Sequence, residues 1–293
     1  MMKTLSPLRY PGGKTSLAGF LRNLIELNVE DCIYYELYAG GAGAALSLLF
    51  DGIVKRIVLN DADIHIFSFW HSILYETEVF IKKIEDTAVN MESWQVQREI
   101  YNGIPDNYST LELGFATFFL NRCNRSGIIK DAGPIGGYNQ DGNYSINCRY
   151  NKIDLIRRIQ RIAQYSEQID VSNEDTLHFI ETHLQDLRDS HAFLYLDPPY
   201  YKKGKSLYLN AYGRKDHEAL RDLLNTQRDL RWMVSYDNVD EIHELYRGFR
   251  NSRYRLNYTL QNRRTTEEFF VFSNSLILPP EIVNQVNDIS HNI

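Results

Sequence analysis

Cysteine is scarce in this chain: three among 293 residues, an odd number. Cys32, Cys123 and Cys148 have no metal-ligand spacing. That argues against a disulfide framework and against a zinc centre, and favours a reducing, cytoplasmic setting. Long apolar runs are missing as well, so no membrane partner is expected. The segment Met1-Met2-Lys3-Thr4-Leu5-Ser6-Pro7 lacks the apolar core of a signal peptide. There is no internal repeat and no low-complexity tract, which excludes solenoids and disordered arrays. Nor is there a surplus of positive charge: 32 lysines and arginines against 38 aspartates and glutamates give a net charge of −6. That total disfavours a protein that merely coats nucleic acid, but distribution matters more than the sum.

The basic residues are bunched. Arg122, Arg125, Lys130, Arg149, Lys152, Arg157, Arg158 and Arg161 share one segment with few acids. Residues 200–215 hold Lys202, Lys203, Lys205, Arg214 and Lys215 and no acid. Arg247, Arg250, Arg253, Arg255, Arg263 and Arg264 make a third acid-free stretch. Charge runs are most often solvated faces. Three of them, interleaved with tyrosine and asparagine, suit a groove that tracks a phosphate backbone. Glu174, Asp175, Glu181, Asp186 and Asp189 would then lie on the far side.

The length fits one large domain, or one domain with a sizeable insertion. A helix is expected over 17–27 and a strand over 32–37. The strand ends in Ala39-Gly40-Gly41-Ala42-Gly43, and a helix over 44–50 follows. A second strand over 56–59 closes with Asn60-Asp61. Strand, glycine turn, helix, strand and acid together open a nucleotide-binding α/β sheet. Residues 64–75 read as helix. From about 78 to 168 the pattern changes to helices, clearest over 111–121 and 153–165. Between those two lies a loop over 124–150, too long and too glycine-rich for a plain connector. Strand-like runs return at 169–172, 192–196, 232–235 and 268–273, alternating with helices over 176–187, 216–225 and 239–246. The fold class expected is α/β, a Rossmann-like sheet with an inserted helical domain. The catalytic domain takes 1–75 and 169–281, the insertion takes 76–168, and a tail without periodicity takes 282–293.

Two motifs bear on a cofactor. The turn from Glu36 to Gly43 does not fit G-x-G-x-x-G, which weakens a dinucleotide reading. Its glycines let backbone approach a ligand closely. A carboxylate at Glu36 would repel phosphate, but it suits a cofactor with a cationic end, such as S-adenosylmethionine. Asp61, at the end of the second strand, could accept from ribose hydroxyls. Such a turn can equally be purely structural. Gly12-Gly13-Lys14-Thr15 invites comparison with a phosphate-binding loop, but that motif needs glycine where Leu8 stands and a strand before it. Lys14 could instead meet a cofactor carboxylate.

The most specific feature is Asp197-Pro198-Pro199-Tyr200, directly after the apolar run 192–196. Asp-Pro-Pro-Tyr is the signature of enzymes that methylate an exocyclic amine of a nucleobase. An aromatic NH2 is a poor nucleophile because its lone pair is delocalised into the ring. A carboxylate and a nearby carbonyl can accept its two N–H bonds and draw the nitrogen toward a tetrahedral shape. The prolines fix φ and hold carbonyl acceptors rigidly. The Tyr200 ring offers a stacking face for a base taken out of the duplex. The plainer alternative is a Pro-Pro turn after a core strand, with Asp197 as a cap.

In this order, the pieces resemble the Dam-type (D12 class) adenine-N6 DNA methyltransferases, alpha group, over most of the chain. Tyr10-Pro11-Gly12-Gly13-Lys14 is similar to the family's N-terminal element, which implies that Tyr10 and Lys14 touch the methyl donor. Glu36 to Gly43 resembles its cofactor turn, so Glu36, Ala39, Gly40 and Gly41 would line the donor. Leu37 and Tyr38 stand where proline and phenylalanine are usual. Asp61 would hold the ribose, and Asp175, after Glu174, the adenine amine of the cofactor. Asn121-Arg122 and the loop that follows resemble the target-recognition segment. Residues 264–274 resemble the closing strand.

The resemblance implies methyl transfer from S-adenosylmethionine to N6 of adenine in double-stranded DNA, without a metal. Asp197 and the Pro198 carbonyl would accept from the amine, beside Pro199 and Tyr200. Arg122, Asn124, Arg125, Lys130, Arg149 and Lys152 are the expected phosphate or base contacts, and Tyr138 a wedge or stacking ring. The basic loop 202–215, with Tyr208 and Tyr212, would close over the target base. A companion restriction or defence system, and a monomer or weak dimer, are compatible with this. Two other readings stay open: an RNA adenine or protein glutamine amide as substrate, and a binding module with a decayed site.

Overall fold

The computed structural model describes residues 5–9, 14–189, 191–201, 212–258 and 264–283, with 255–258, 264–266, 281 and 283 described by backbone alone. One sheet carries the architecture. Its strands are β1 (Ile33–Glu36), β2 (Arg56–Asn60), β3 (Ile169–Ser172), β4 (Ala192–Leu196), β5 (Trp232–Asp237), β6 (Arg250–Tyr258) and β7 (Arg264–Phe272). They lie in the order β3-β2-β1-β4-β5-β7-β6. The first five pair in parallel, and β7 enters antiparallel between β5 and β6.

The helices are α1 (Ala18–Asn28), α2 (Gly43–Phe50), α3 (Ile64–Tyr75), α4 (Thr77–Asp86), α5 (Met91–Asn102), α6 (Thr110–Cys123), α7 (Lys152–Ala163), α8 (Thr176–Thr182), α9 (Leu184–Leu187), α10 (Arg214–Thr226), α11 (Asp240–Leu245) and α12 (Pro280–Val283). None of the described helices is long and apolar enough to cross a membrane.

Every residue of β4 is buried, because helices cover both faces of the sheet. Successive side chains point to opposite faces. Tyr34, Phe193, Tyr195, Met233 and Phe270 join one core cluster. Tyr35, Leu194, Leu196, Trp232, Val234 and Phe269 join the other, against Phe179, Leu220, Leu224 and Ile242.

The segment between β2 and β3 is helical, and its starts are written in the sequence. Asp63, Asn90 and Asn151 cap α3, α5 and α7, and Ser109 with Glu112 forms a capping box on α6. Helix α6 is buried continuously from Leu113 to Cys123, as expected of a helix apolar nearly all round. Gly114 lets it approach α3, since a Cβ there would collide with the Ser68 carbonyl. Phe80, Trp94, Phe115, Phe118, Leu155 and Ile159 belong to the same cluster as one face of the sheet. This segment therefore shares its apolar packing with the sheet.

The elements differ from the sequence reading in a few places. The helix expected over 176–187 is broken at His183 into α8 and α9. The third basic stretch contains β6, and the Arg250 guanidinium donates to the carbonyls of Ser273, Asn274 and Leu276. Near the end, α12 buries Ile282, while 284–293 lie outside the described residues.

Candidate active site

Glu36 on β1 is level with Tyr195 on β4, two residues before Asp197. Neighbouring parallel strands thus deliver two carboxylates to the same carboxyl edge. This is where the strand order reverses, the usual ligand crevice of an open α/β sheet.

The turn after Glu36 is held from several directions. Ala39 N–H donates to the Asn60 carbonyl at 3.0 Å, and Gly40 N–H to Asp61 Oδ2 at 2.8 Å. Trp70 Nε1 donates to the Gly40 carbonyl at 2.9 Å. Gly41 is buried within the turn, and Ala42 adopts a left-handed conformation (φ 45°, ψ 34°). Gly43 packs on Thr15, whose hydroxyl a Cβ would strike. Glu36 Oε2 accepts from Ala45 N–H at 3.2 Å in the first turn of α2. Burial, and next the charge of Asp197, push the Glu36 carboxyl up to about 8.

Asp61 also accepts from Asp63 N–H at 3.0 Å. Burial, then Asp63, push its carboxyl up to about 7. Both oxygens keep lone pairs beyond these bonds, enough for ribose hydroxyls. Asn60 ties the crevice together: its side chain donates to the Glu174 carbonyl at 2.9 Å and accepts from Ser172 Oγ at 2.9 Å. Asp175 is exposed and caps α8, accepting from the N–H groups of Leu177 and His178.

At the second carboxylate, Asp197 Oδ1 accepts from Ser235 Oγ at 2.7 Å and lies 3.2 Å from Lys14 Nζ. The Lys14 ammonium also donates to Glu268 Oε1 at 3.0 Å and to the Tyr200 hydroxyl at 2.8 Å. Tyr200 in turn donates to Glu268 Oε1 at 3.2 Å. Lys14 and Glu268 are 3% and 2% exposed at the side chain, and Asp197 is 19% exposed. The ion pair with Glu268 is therefore sealed, and Asp197 opens to the crevice. Burial alone would lower the Lys14 ammonium, but Asp197, Tyr195 and Glu268 hold it well above the usual range. Burial pushes Asp197 up to about 6, with Lys14 opposing and Glu268 adding to the rise. Lys14 and the Ser235 hydroxyl both favour the ionised form of Asp197, which is the better acceptor. Pro198 and Pro199 are buried behind it.

Glu268, Ser235 and Tyr195 escaped the sequence reading as site residues. A signal existed: an acid opening an apolar run in β7, and a small hydroxyl inside a buried strand. Tyr10 and loop residues 202–211 lie outside the described residues. Tyr212, just after that loop, has its hydroxyl 2.6 Å from that of Tyr38. A phenylalanine at position 38 could not make this bond.

The expected DNA contacts divide by direction. Arg122 is buried and donates to the Arg149 carbonyl at 2.8 Å and the Pro7 carbonyl at 3.3 Å. Its guanidinium is lowered to about 10 by burial, then by Arg9 and Arg158. Asn124 is buried between the Trp94 indole N–H, at 2.7 Å, and the carbonyls of Ile128 and Ile129. Lys152 reaches the carbonyls of Glu85 and Thr87 at 2.7 and 2.9 Å. Arg125, Lys130, Tyr138 and Arg149 are exposed, and the Tyr138 ring rests edge-on against Trp94.

A parallel sheet with β7 inserted antiparallel, a glycine turn after β1 and a carboxylate after β4 defines the class: Rossmann-like methyltransferases. A family model described as D12 class N6 adenine-specific DNA methyltransferase matches residues 10–260. The chain belongs to that family.

Among its relatives is the modification methylase StsI of Streptococcus sanguinis, 24% identical over 260 residues, which cover 80% of this chain. The match spans only 35% of that relative's length. The type II methyltransferase M.CviBI of Paramecium bursaria Chlorella virus NC1A is 22% identical, over 86% of this chain and 90% of the relative. The solved rRNA methyltransferase aviRa of Streptomyces viridochromogenes matches at a TM-score of 0.39 and 10% identity, covering 91% of this chain and 87% of its own.

Proposed function

We propose that the protein transfers a methyl group from S-adenosylmethionine to N6 of an adenine in double-stranded DNA. The observation that carries this reading is the Asp197 carboxylate, partly open at the carboxyl edge next to Glu36 and held by Ser235 and Lys14. When bound, S-adenosylmethionine supplies an electrophilic methyl on a positively charged sulfur. The donor set fits it. Glu36, held against ionisation by burial and by Asp197, gains from a positive neighbour. Asp61 has acceptor capacity for a ribose, with Gly40 and Ala39 fixed beside it. Tyr10, Gly41 and Asp175 complete the donor site in this proposal.

Asp197 accepts from the amine of the target base while Pro198 offers its carbonyl. Tyr200, tethered by Lys14 and Glu268, stacks on the extruded ring. The amine nitrogen itself attacks, so no covalent enzyme intermediate is required. The segment 76–168 recognises the DNA. Arg125, Lys130, Arg149 and Tyr138 face the duplex, while Arg122, Asn124 and Lys152 hold the loop that presents them.

The test is methyl transfer from labelled cofactor to mixed-sequence duplex DNA, followed by nucleoside analysis. N6-methyladenine from the wild type and none from Asp197→Ala is the expected outcome. Label in RNA or in a protein glutamine, with none in DNA, would overturn the choice of substrate.

A further inference from the structure

The Asp197 carboxylate is held from behind by a relay that neither the catalytic tetrapeptide nor the cofactor turn contains. Ser235 on β5 donates its hydroxyl proton to Asp197 Oδ1 at 2.7 Å. The Tyr195 hydroxyl lies 2.8 Å from Ser235 Oγ. Ser235 has a single proton, and an ionised carboxylate has none to offer. The direction is therefore fixed: Tyr195 donates to Ser235, and Ser235 donates to Asp197. Tyr195 and Ser235 are both 0% exposed, so neither bond can be replaced by solvent. They sit on adjacent parallel strands, with Tyr195 level with Met233, and the sheet itself fixes their spacing.

On the other side Lys14 approaches the same oxygen, Oδ1, at 3.2 Å. Among the described residues, Oδ2 has no partner. A carboxylate rotates about its Cβ–Cγ bond unless its oxygens are distinguished. Here one oxygen is occupied from two directions, and rotation would break both contacts.

We propose that Ser235, oriented by Tyr195, is a positioning residue that locks the rotation of the Asp197 carboxylate and presents Oδ2 to the target amine. The inference rests on the functional reading above. A misplacement of about 1 Å in a reacting group costs on the order of a hundredfold in rate. Ser235→Ala should therefore lower kcat by roughly ten- to a hundredfold, with the KM for DNA and the affinity for cofactor within about twofold of wild type. The Ser235 hydrogen bond also favours the ionised Asp197. Its removal should move the acid limb of the kcat–pH profile to higher pH.

Four proteins are compared at saturating cofactor and DNA: wild type, Ser235→Ala, Ser235→Thr and Tyr195→Phe. Ser235→Thr keeps the hydroxyl and should recover most of the rate and the wild-type pH profile. Tyr195→Phe should shift the profile in the same direction by a smaller amount, and it tests the relay even if Ser235→Ala fails to fold. The proposal is overturned if folded Ser235→Ala keeps the wild-type kcat and acid limb. It is equally overturned if Ser235→Thr is as impaired as Ser235→Ala with an unshifted profile, since Ser235 would then act through packing alone. A wild type that binds cofactor but methylates no DNA adenine would instead sink the functional reading, and this inference with it.

Discussion

The sheet edge and the helical segment between β2 and β3 both carry charged side chains singled out from sequence, and they treat them differently. At the edge, Glu36, Asp61 and Asp197 converge on one crevice, because parallel strands deliver their ends to one line. In the helical segment, the basic residues scatter. Arg122 and Lys152 turn inward to carbonyls, and Arg125, Lys130 and Arg149 stay outside. A motif at a strand end states where its side chain goes. A run of charge on helices and loops states only that charge is nearby, because a long side chain can serve backbone as readily as solvent.

The strongest test of this contrast is at Asp197. Its replacement by alanine should lower methyl transfer by about a thousandfold or more, with the fold intact by circular dichroism. A loss under tenfold would remove Asp197 from the centre of the chemistry.

Arg122→Ala should act on stability first. It removes buried bonds to the carbonyls of Arg149 and Pro7, and a cost of about 3 kcal/mol in denaturant unfolding is expected. An unchanged midpoint with weakened DNA binding would return Arg122 to the DNA face and erase the distinction.

Lys130→Ala should do the reverse. Its unfolding midpoint should match wild type, duplex affinity should fall about fivefold, and the slope of log K against log salt should shrink by about one. Titrations across salt read this directly.

A pH dependence is also expected at the edge. The Glu36 carboxyl is raised from its ordinary 4.5 to about 8. Between those values the folded protein holds a proton that the unfolded chain has released. The stability from Glu36 is therefore full below about pH 4.5 and lost as pH rises through about 8. Melting temperatures without cofactor should fall over that window more steeply for wild type than for Glu36→Gln. Parallel curves would mean that Glu36 is not raised.

The two regions were also unequally legible. Apolar runs bounded by glycine, proline and acid place β1, β2, β4 and β5, because strands covered on both faces must read as buried runs. β6 hid behind its arginines. At the edge of the sheet among the described residues, and paired there with β7, it needs no apolar run. Within the site, Asp197 and Glu36 are announced by the short segments around them. The Lys14–Glu268 pair is not, since 254 positions separate its members and only the tertiary fold brings the turn that starts at Lys14 onto β7. Ser235 was legible as a polar residue inside an apolar strand, but its partner was not. Side-chain direction at Arg122, Asn124 and Lys152 depends on carbonyls left unpaired by irregular backbone, and residue type does not encode that.

The antiparallel entry of β7 between β5 and β6 also sets a timetable. Synthesis runs from the amino end at about 5–20 residues per second, so a nascent chain carries Lys14 and then Asp197 for seconds to tens of seconds before Glu268 exists. β5, once made, has no β7 to pair with until then, and the lysine lacks its sealed counter-ion. Among the described strands, the last made is the one that enters between two made before it. A chain that stopped before β7 would therefore lack both the antiparallel partner of β5 and the acid that seals Lys14.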